Sequence, residues 1–248
     1  LRAAFRRLFS SWSKYAEVLL YPSFCEICQA FLERPGEKVI CLSCREKIKP
    51  HPQDSFCVCC GRFLEGAGEP HLCLECLERT PPFSKHRSAG RYDGIVRDII
   101  LLYKYSGFEV LGELLADYIE QTLGLEEDLW VGVDAIVPVP LHPAREKKRG
   151  FNQSRVLAKR LSRIKKIQLL ERRLVKTKNI PPQTSLEANE RATNVRGAFK
   201  VRGADTIKGK IILLVDDVYT TGSTLRECSL VLERAGAKEV RAVTIAQA

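Results

Sequence analysis

The sequence predicts an α/β fold, a central parallel sheet with helices on its faces, preceded by a small cysteine-rich module. Three observations predict it. Strand-like and helical stretches alternate from residue 86 onward, and one apolar strand, residues 210–217, runs straight into two carboxylates, a hydroxyl-rich turn and a helix. Nine of the ten cysteines are crowded between residues 25 and 76.

Each element follows from its local pattern. "HRSAGRY" (86–92) reads as a strand, and "GIVRDIILLYKY" (94–105) and "VLGELLADYIEQTL" (110–123) as amphipathic helices. "VDAIVPVP" (133–140) reads as a strand that ends on prolines, and "NQSRVLAKRLSRI" (152–164) as a helix. "KIILLVDD" (210–217) is a buried strand, "STLRECSLVLERAG" (223–236) a helix stopped by Gly236, and "EVRAVTIA" (239–246) a final strand. Strand, helix, strand in this order gives a parallel sheet, whose ligands bind beyond the carboxyl ends of the strands.

The prolines of "TPPFSK" (80–85) suggest a hinge between the two modules. The expected domains are an amphipathic helix over residues 1–22, a double metal ribbon over 23–79 and the α/β domain over 86–248. In the helix, Leu1, Phe5, Leu8, Phe9, Trp12, Tyr15 and Leu19 share one face, which favours packing on the protein over lying on a membrane. No apolar run approaches the roughly 18 residues of a spanning helix, and the first twenty residues mix charge with apolar side chains, unlike a signal peptide. A cytoplasmic protein is expected, with the inner face of the membrane as its one peripheral location.

The cysteines form a duplicated unit. "SFCEICQAFLERPGEKVICLSC" (23–44) and "SFCVCCGRFLEGAGEPHLCLEC" (55–76) align at an offset of 32 residues. Each has the form C-x2-C-x12-C-x2-C, in which two tight turns complete a tetrahedral shell of four thiolates around zinc. The duplication favours two self-contained sites, Cys25, Cys28, Cys41 and Cys44 for one and Cys57, Cys60, Cys73 and Cys76 for the other, leaving Cys59 spare. Equal spacing from Cys44 to Cys57 leaves a cross-braced pairing open, and an iron–sulfur cluster is the competing occupant. So small a unit needs its metal to fold.

The charge is concentrated. Of a net +10, residues 141–178 alone hold fourteen Lys or Arg against Glu146 and Glu171. Such a run is either a solvated helix face or a site for polyanions.

Asp216 and Asp217 stand where the apolar strand emerges, and Thr220, Thr221, Gly222, Ser223 and Thr224 lead into the following helix. Backbone N–H groups at a helix start lack intrahelical partners and carry the positive end of the helix dipole. With Gly222 admitting close approach, this is a cradle for a phosphate monoester. It is neither a Walker A loop nor a dinucleotide fingerprint. Two carboxylates beside a phosphate make sense if a sugar lies between, since carboxylates accept hydrogen bonds from vicinal hydroxyls.

"ILLVDDVYTTGST" resembles the binding motif for 5-phosphoribosyl 1-diphosphate (PRPP) of the type I phosphoribosyltransferases, with Tyr219 where an aliphatic residue is commoner. The resemblance widens to the ComF family through the paired CxxC ribbons, "YDGIVRDIILLYKYSG", "VPVPLHPAREKKRGFNQS" and "PPQTSLEANERATNVRGAF". It implies a type I phosphoribosyltransferase-like domain after a double zinc ribbon with two structural Zn2+ ions. It also implies that Asp216 and Asp217 hold the ribose hydroxyls and residues 220–224 the 5-phosphate. The segment Pro140–Arg149, with Arg145, Lys147, Lys148 and Arg149, would hold the diphosphate with Mg2+. Residues 168–200 would form the hood over the acceptor, with Arg172, Arg173, Gln183, Arg191 and Asn194 as polar candidates.

Two functions follow from the resemblance. One is a PRPP-binding protein of natural transformation that handles incoming single-stranded DNA, alone or with other cytoplasmic DNA-uptake proteins; the basic stretch and the ribbons suit a single-strand backbone. The other is an active phosphoribosyltransferase of nucleotide metabolism that moves ribose 5-phosphate to an acceptor and releases diphosphate. The sequence shows no general base, no nucleobase pocket and no N-terminal cysteine nucleophile, so no catalytic residue is assigned.

Overall fold

The computed structural model describes residues 23–32, 38–49, 55–64, 68–179 and 195–248. The expected helix over residues 1–22, and Gln183, Arg191 and Asn194, lie outside the described residues. What is described falls into two compact units, divided between residues 49 and 50.

The first unit contains one ribbon. A tight turn follows Cys25, whose N–H donates to the Ala30 carbonyl (2.8 Å) and whose carbonyl accepts from Gln29 N–H (2.9 Å). The short helix α1 (Leu42–Glu46) starts on Cys41. Phe24 and Phe31 bridge across the turn and pack edge to face at 5.9 Å.

The second unit opens with the other ribbon, closed by α2 (Leu74–Glu78). β1 (Lys85–Arg91), α3 (Gly94–Tyr105), α4 (Leu111–Leu123) and α5 (Glu127–Trp130) follow. Next come β2 (Ala135–Pro138), α6 (Pro143–Arg149), α7 (Gln153–Lys165) and β3 (Gln168–Leu169). β4 (Leu174–Lys176) and β5 (Phe199–Val201) form a small antiparallel pair. β6 (Ile211–Tyr219), α8 (Ser223–Arg234) and β7 (Glu239–Gln247) complete it.

The five-stranded sheet has the order β1-β7-β6-β2-β3, and every pairing is parallel. The predicted strands and helices stand where the patterns placed them. β6 lies at the centre, and Ile212, Leu213, Leu214 and Val215 are fully buried because both faces of a parallel sheet are covered. Ile212 and Leu214 join Leu225, Cys228 and Leu232 of α8 in one core. Strand alternation sends Leu213 and Val215 to the opposite face, where α4 and α7 pack on each other and α7 on β6 and β2.

The segment read as a hinge is packed. Phe83 is buried in the same core as Cys57 and Cys60, and the Ser84 N–H donates to the Val240 carbonyl at 2.8 Å. The prolines stiffen a docked connection here, so the second ribbon belongs to the same compact unit as the sheet.

Candidate functional site

β2 ends at Pro138, opposite Val215, and the Val139 N–H makes the next bond to the Val215 carbonyl at 2.9 Å. On this side β6 loses its partner just where Asp216 and Asp217 begin, so the carboxylates stand at the carboxyl crest of the sheet. Asn152 ties the neighbouring loop down by donating from Nδ2 to the Val139 carbonyl (3.1 Å), and its Oδ1 caps α7 by accepting from Arg155 N–H (3.4 Å). That cap places Ser154, whose hydroxyl donates to Asp216 Oδ1 at 2.8 Å.

The two carboxylates have different surroundings. Burial, and then the neighbouring Asp217 charge, push Asp216 up to about 7, against the pull of the Ser154 hydroxyl and the Asp217 N–H. Asp217 faces Lys104 of α3, with Nζ at 2.8 Å from Oδ1 and both side chains 16% exposed. Burial alone would lower the Lys104 pKa, but the Asp217 charge and hydrogen bond hold it above the usual lysine value. The crest therefore carries one carboxylate paired with a lysine and one whose charge is disfavoured by burial.

Next to them lies the turn. Thr221 and Ser223 share a hydroxyl hydrogen bond at 2.8 Å, and the Ser223 N–H points at Thr221 Oγ1 (3.4 Å). Gly222, at φ 71°, precedes α8 in a left-handed conformation, and no side chain caps the helix. A glycine-led helix start with short hydroxyls is the kind of place where an anion is expected to bind. Thr220 is exposed and Thr224 half-buried.

The expected diphosphate loop holds a helix, α6. Pro143 occupies its first turn and the His142 side chain caps it, accepting from Ala144 N–H at 3.3 Å. Glu146 pairs with Arg155 of α7 at 2.7 Å. The four basic residues separate by orientation: Lys147 and Lys148 are exposed, while Arg145 and Arg149 are half-buried. Arg149 donates to Gln153 Oε1 (2.8 Å) and lies over the Tyr105 ring at 5.4 Å. Burial, then the Arg149 charge, lower the Arg145 pKa. Burial and the Arg145 charge likewise lower that of Lys176 on β4, which the Asp216 charge pulls back up. Of the hood candidates, Arg172 is exposed and Arg173 half-buried.

Lys104, Ser154 and Lys176 are the site residues that sequence reasoning missed. Lys104 sits inside "YDGIVRDIILLYKYSG", one of the stretches that carried the family resemblance; Ser154 and Lys176 had no local signal.

The cysteines gather as the duplication predicted. Cys25, Cys28, Cys41 and Cys44 form one cluster and Cys57, Cys60, Cys73 and Cys76 the other, with each set of sulfurs within 4.8 Å of one another. This is the sequential pairing, and four thiols so close fit a tetrahedral zinc ion. N–H groups of Cys60 (3.5 Å) and Cys73 (3.3 Å) donate to Cys57 Sγ. Burial pushes the Cys57 and Cys60 thiols up; these N–H groups bring Cys57 down to about 7, while Cys60, beside the Cys57 charge, stays raised to about 12.

Fold and site together define a phosphoribosyltransferase-type α/β domain joined to a double zinc ribbon. The family described as "Phosphoribosyl transferase domain" matches residues 108–248, and "Double zinc ribbon domain" matches residues 17–77. The chain is 31% identical over 160 residues to "Competence protein ComFC" of Streptococcus pneumoniae, covering 64% of this chain and 67% of that protein. It is 37% identical over 116 residues to "Competence protein F" of Haemophilus influenzae, covering 46% of this chain and 51% of that protein. With "DNA utilization protein YhgH" of Escherichia coli the identity is 39% over 108 residues, covering 44% and 47%. The chain thus spans about half the length of two of these relatives and two thirds of the third. It belongs to the ComF family.

Proposed function

We propose that the chain binds PRPP with Mg2+ at the crest of its sheet and serves the cytoplasmic handling of single-stranded DNA during uptake. The observation that carries this reading is the juxtaposition at the end of β6. There a lysine-paired Asp217 and a hydroxyl-bonded Asp216 stand next to the glycine-led start of α8. The carboxylates suit ribose hydroxyls, the uncapped N–H groups suit the 5-phosphate, and Arg145 with its neighbours on α6 suits the diphosphate. Mg2+ would offset diphosphate charge there. The DNA role is supported by the names of the relatives and by the exposed Lys147 and Lys148. Among the described residues no helix is long and apolar enough to cross a membrane.

The test is calorimetry with PRPP and Mg2+. Binding is expected for the native protein and at least a tenfold loss for Asp217→Asn, since the neutral amide is a weaker acceptor than the carboxylate. Absence of binding by the native protein would overturn the ligand assignment.

A second reading, transfer of the phosphoribosyl group to an acceptor, is favoured by Asp216, whose carboxyl titrates near neutrality where proton exchange is easiest. In that reaction the bond from the anomeric carbon to diphosphate breaks, diphosphate leaves with the electron pair, and the acceptor loses a proton as it bonds to carbon. Diphosphate release with and without acceptors separates the two readings.

A further inference from the structure

The duplicated ribbons differ where the second copy meets the sheet. At the offset of 32 residues, Arg62, Glu75 and Gly61 of the second copy match Ala30, Ser43 and Gln29 of the first. Gly61 and Gln29 share a left-handed conformation, φ 65° and φ 60°. A Cβ on Gly61 would collide with the His86 carbonyl of β1, so the second copy needs glycine at this position. Its aromatics are engaged as well: Phe56 lies under Arg87 (4.6 Å) and Phe63 under Arg91 (4.9 Å).

Two chains of contacts lead from this copy to the phosphate turn. In the first, Glu75, between the ligands Cys73 and Cys76, accepts from Arg62 at 2.6 Å and from Arg226 at 3.0 Å. Arg226 is in the first turn of α8, is largely buried, and also donates to the Arg79 carbonyl (3.1 Å). Its own N–H makes an early helical bond to the Gly222 carbonyl at 2.9 Å. In the second chain, His86 Nδ1 donates to the carbonyl of Cys60 at 2.7 Å, and Nε2 accepts from Thr244 Oγ1 at 3.0 Å. The Cys60 carbonyl can only accept, so the proton sits on Nδ1 and the tautomer is fixed by its partners. The ring stacks on Tyr219 at 4.3 Å and 20°. Tyr219 in turn fills the space beside Gly222, where a Cβ would collide with its hydroxyl. The departure of Tyr219 from the aliphatic residue commoner in type I motifs is thereby given a partner.

We propose that the second ribbon is a working part of the phosphate turn: through Cys60–His86–Tyr219 and through Glu75–Arg226, metal bound at Cys57, Cys60, Cys73 and Cys76 holds residues 219–226 in their anion-binding conformation. His86, Tyr219, Glu75 and Arg226 are positioning residues that reach the ligand through the turn. The first ribbon lacks the matching residues, so its metal has no such role. This proposal rests on the reading of residues 220–224 as a phosphate site.

The experiment combines hydrogen exchange of residues 219–226, metal content and PRPP titration on the full chain. Glu75→Gln keeps all eight cysteines of the two clusters. It is expected to retain full zinc, to raise exchange in 219–226, and to weaken PRPP about threefold to tenfold by losing charge-assisted hydrogen bonds. The paired variants Cys57→Ser/Cys60→Ser and Cys25→Ser/Cys28→Ser each lose one metal site, and faster exchange in the turn is expected for the first pair alone. Unchanged exchange in Glu75→Gln, or equal exchange in the two cysteine pairs, overturns the proposal. If the native protein ignores PRPP, the ligand reading falls while the exchange comparison still decides the coupling.

Discussion

Replacing Asp216 by Asn should stabilise the protein while removing one of the two carboxylates proposed to hold ribose. Asp216 is held at about 7 against an ordinary 3.8, so folding works against its ionisation. At about 1.36 kcal/mol per pH unit the gap amounts to about 4 kcal/mol at pH 8. Its coupling to Asp217 and its remaining exposure to water reduce this to about 2 kcal/mol, or about half the linkage value. The sign follows from proton counts. Between pH 4 and pH 7 the folded state holds a proton on Asp216 that the unfolded state has lost, so stability falls as pH rises through this window. Asn is neutral throughout and keeps the oxygen that accepts from Ser154. Urea unfolding at several pH values is the assay. The variant should gain about 2 kcal/mol at pH 8, about 1 kcal/mol at pH 5 and nothing below about pH 4. A variant that is less stable at pH 8, or whose advantage does not shrink with acid, refutes the account of this carboxylate.

Two further outcomes are expected. Lys104→Met removes the ammonium 2.8 Å from Asp217 and leaves a mostly buried charge alone. A loss of about 2–3 kcal/mol in thermal melts at pH 7.5 checks it, and an unchanged melt refutes it. Lys147→Gln with Lys148→Gln removes two exposed charges. If α6 meets single-stranded DNA, the slope of log affinity against log salt should fall by about 1.4 in magnitude, measured by fluorescence anisotropy; an unchanged slope excludes this face.

The sheet was legible because its strands carry their own signal. "IILLV", five β-branched or apolar residues before a turn-rich loop, reads as a strand buried on both faces, and chain order places the carboxylates at its end. Helix α6 was not legible: "PAREKKR" has no apolar stripe, and its helix depends on Pro143 and the His142 cap instead of on periodicity. The metal sites were readable from spacing, because a chelating turn is local. The partners of the aspartates were not, since Ser154 lies 62 residues from Asp216 and meets it only when α7 packs beside β6. The same holds for Glu75 and Arg226, 151 residues apart. Nothing local marks the second ribbon as docked on the sheet, although Gly61 explains itself once the contact with β1 is known.

β1 is the outermost strand on its side of the sheet, and its His86 N–H is taken by the Cys59 carbonyl at 2.7 Å. An open strand of this kind is a template for pairing with another chain. The ribbon over it therefore covers part of an edge that would otherwise be open to pairing with another chain.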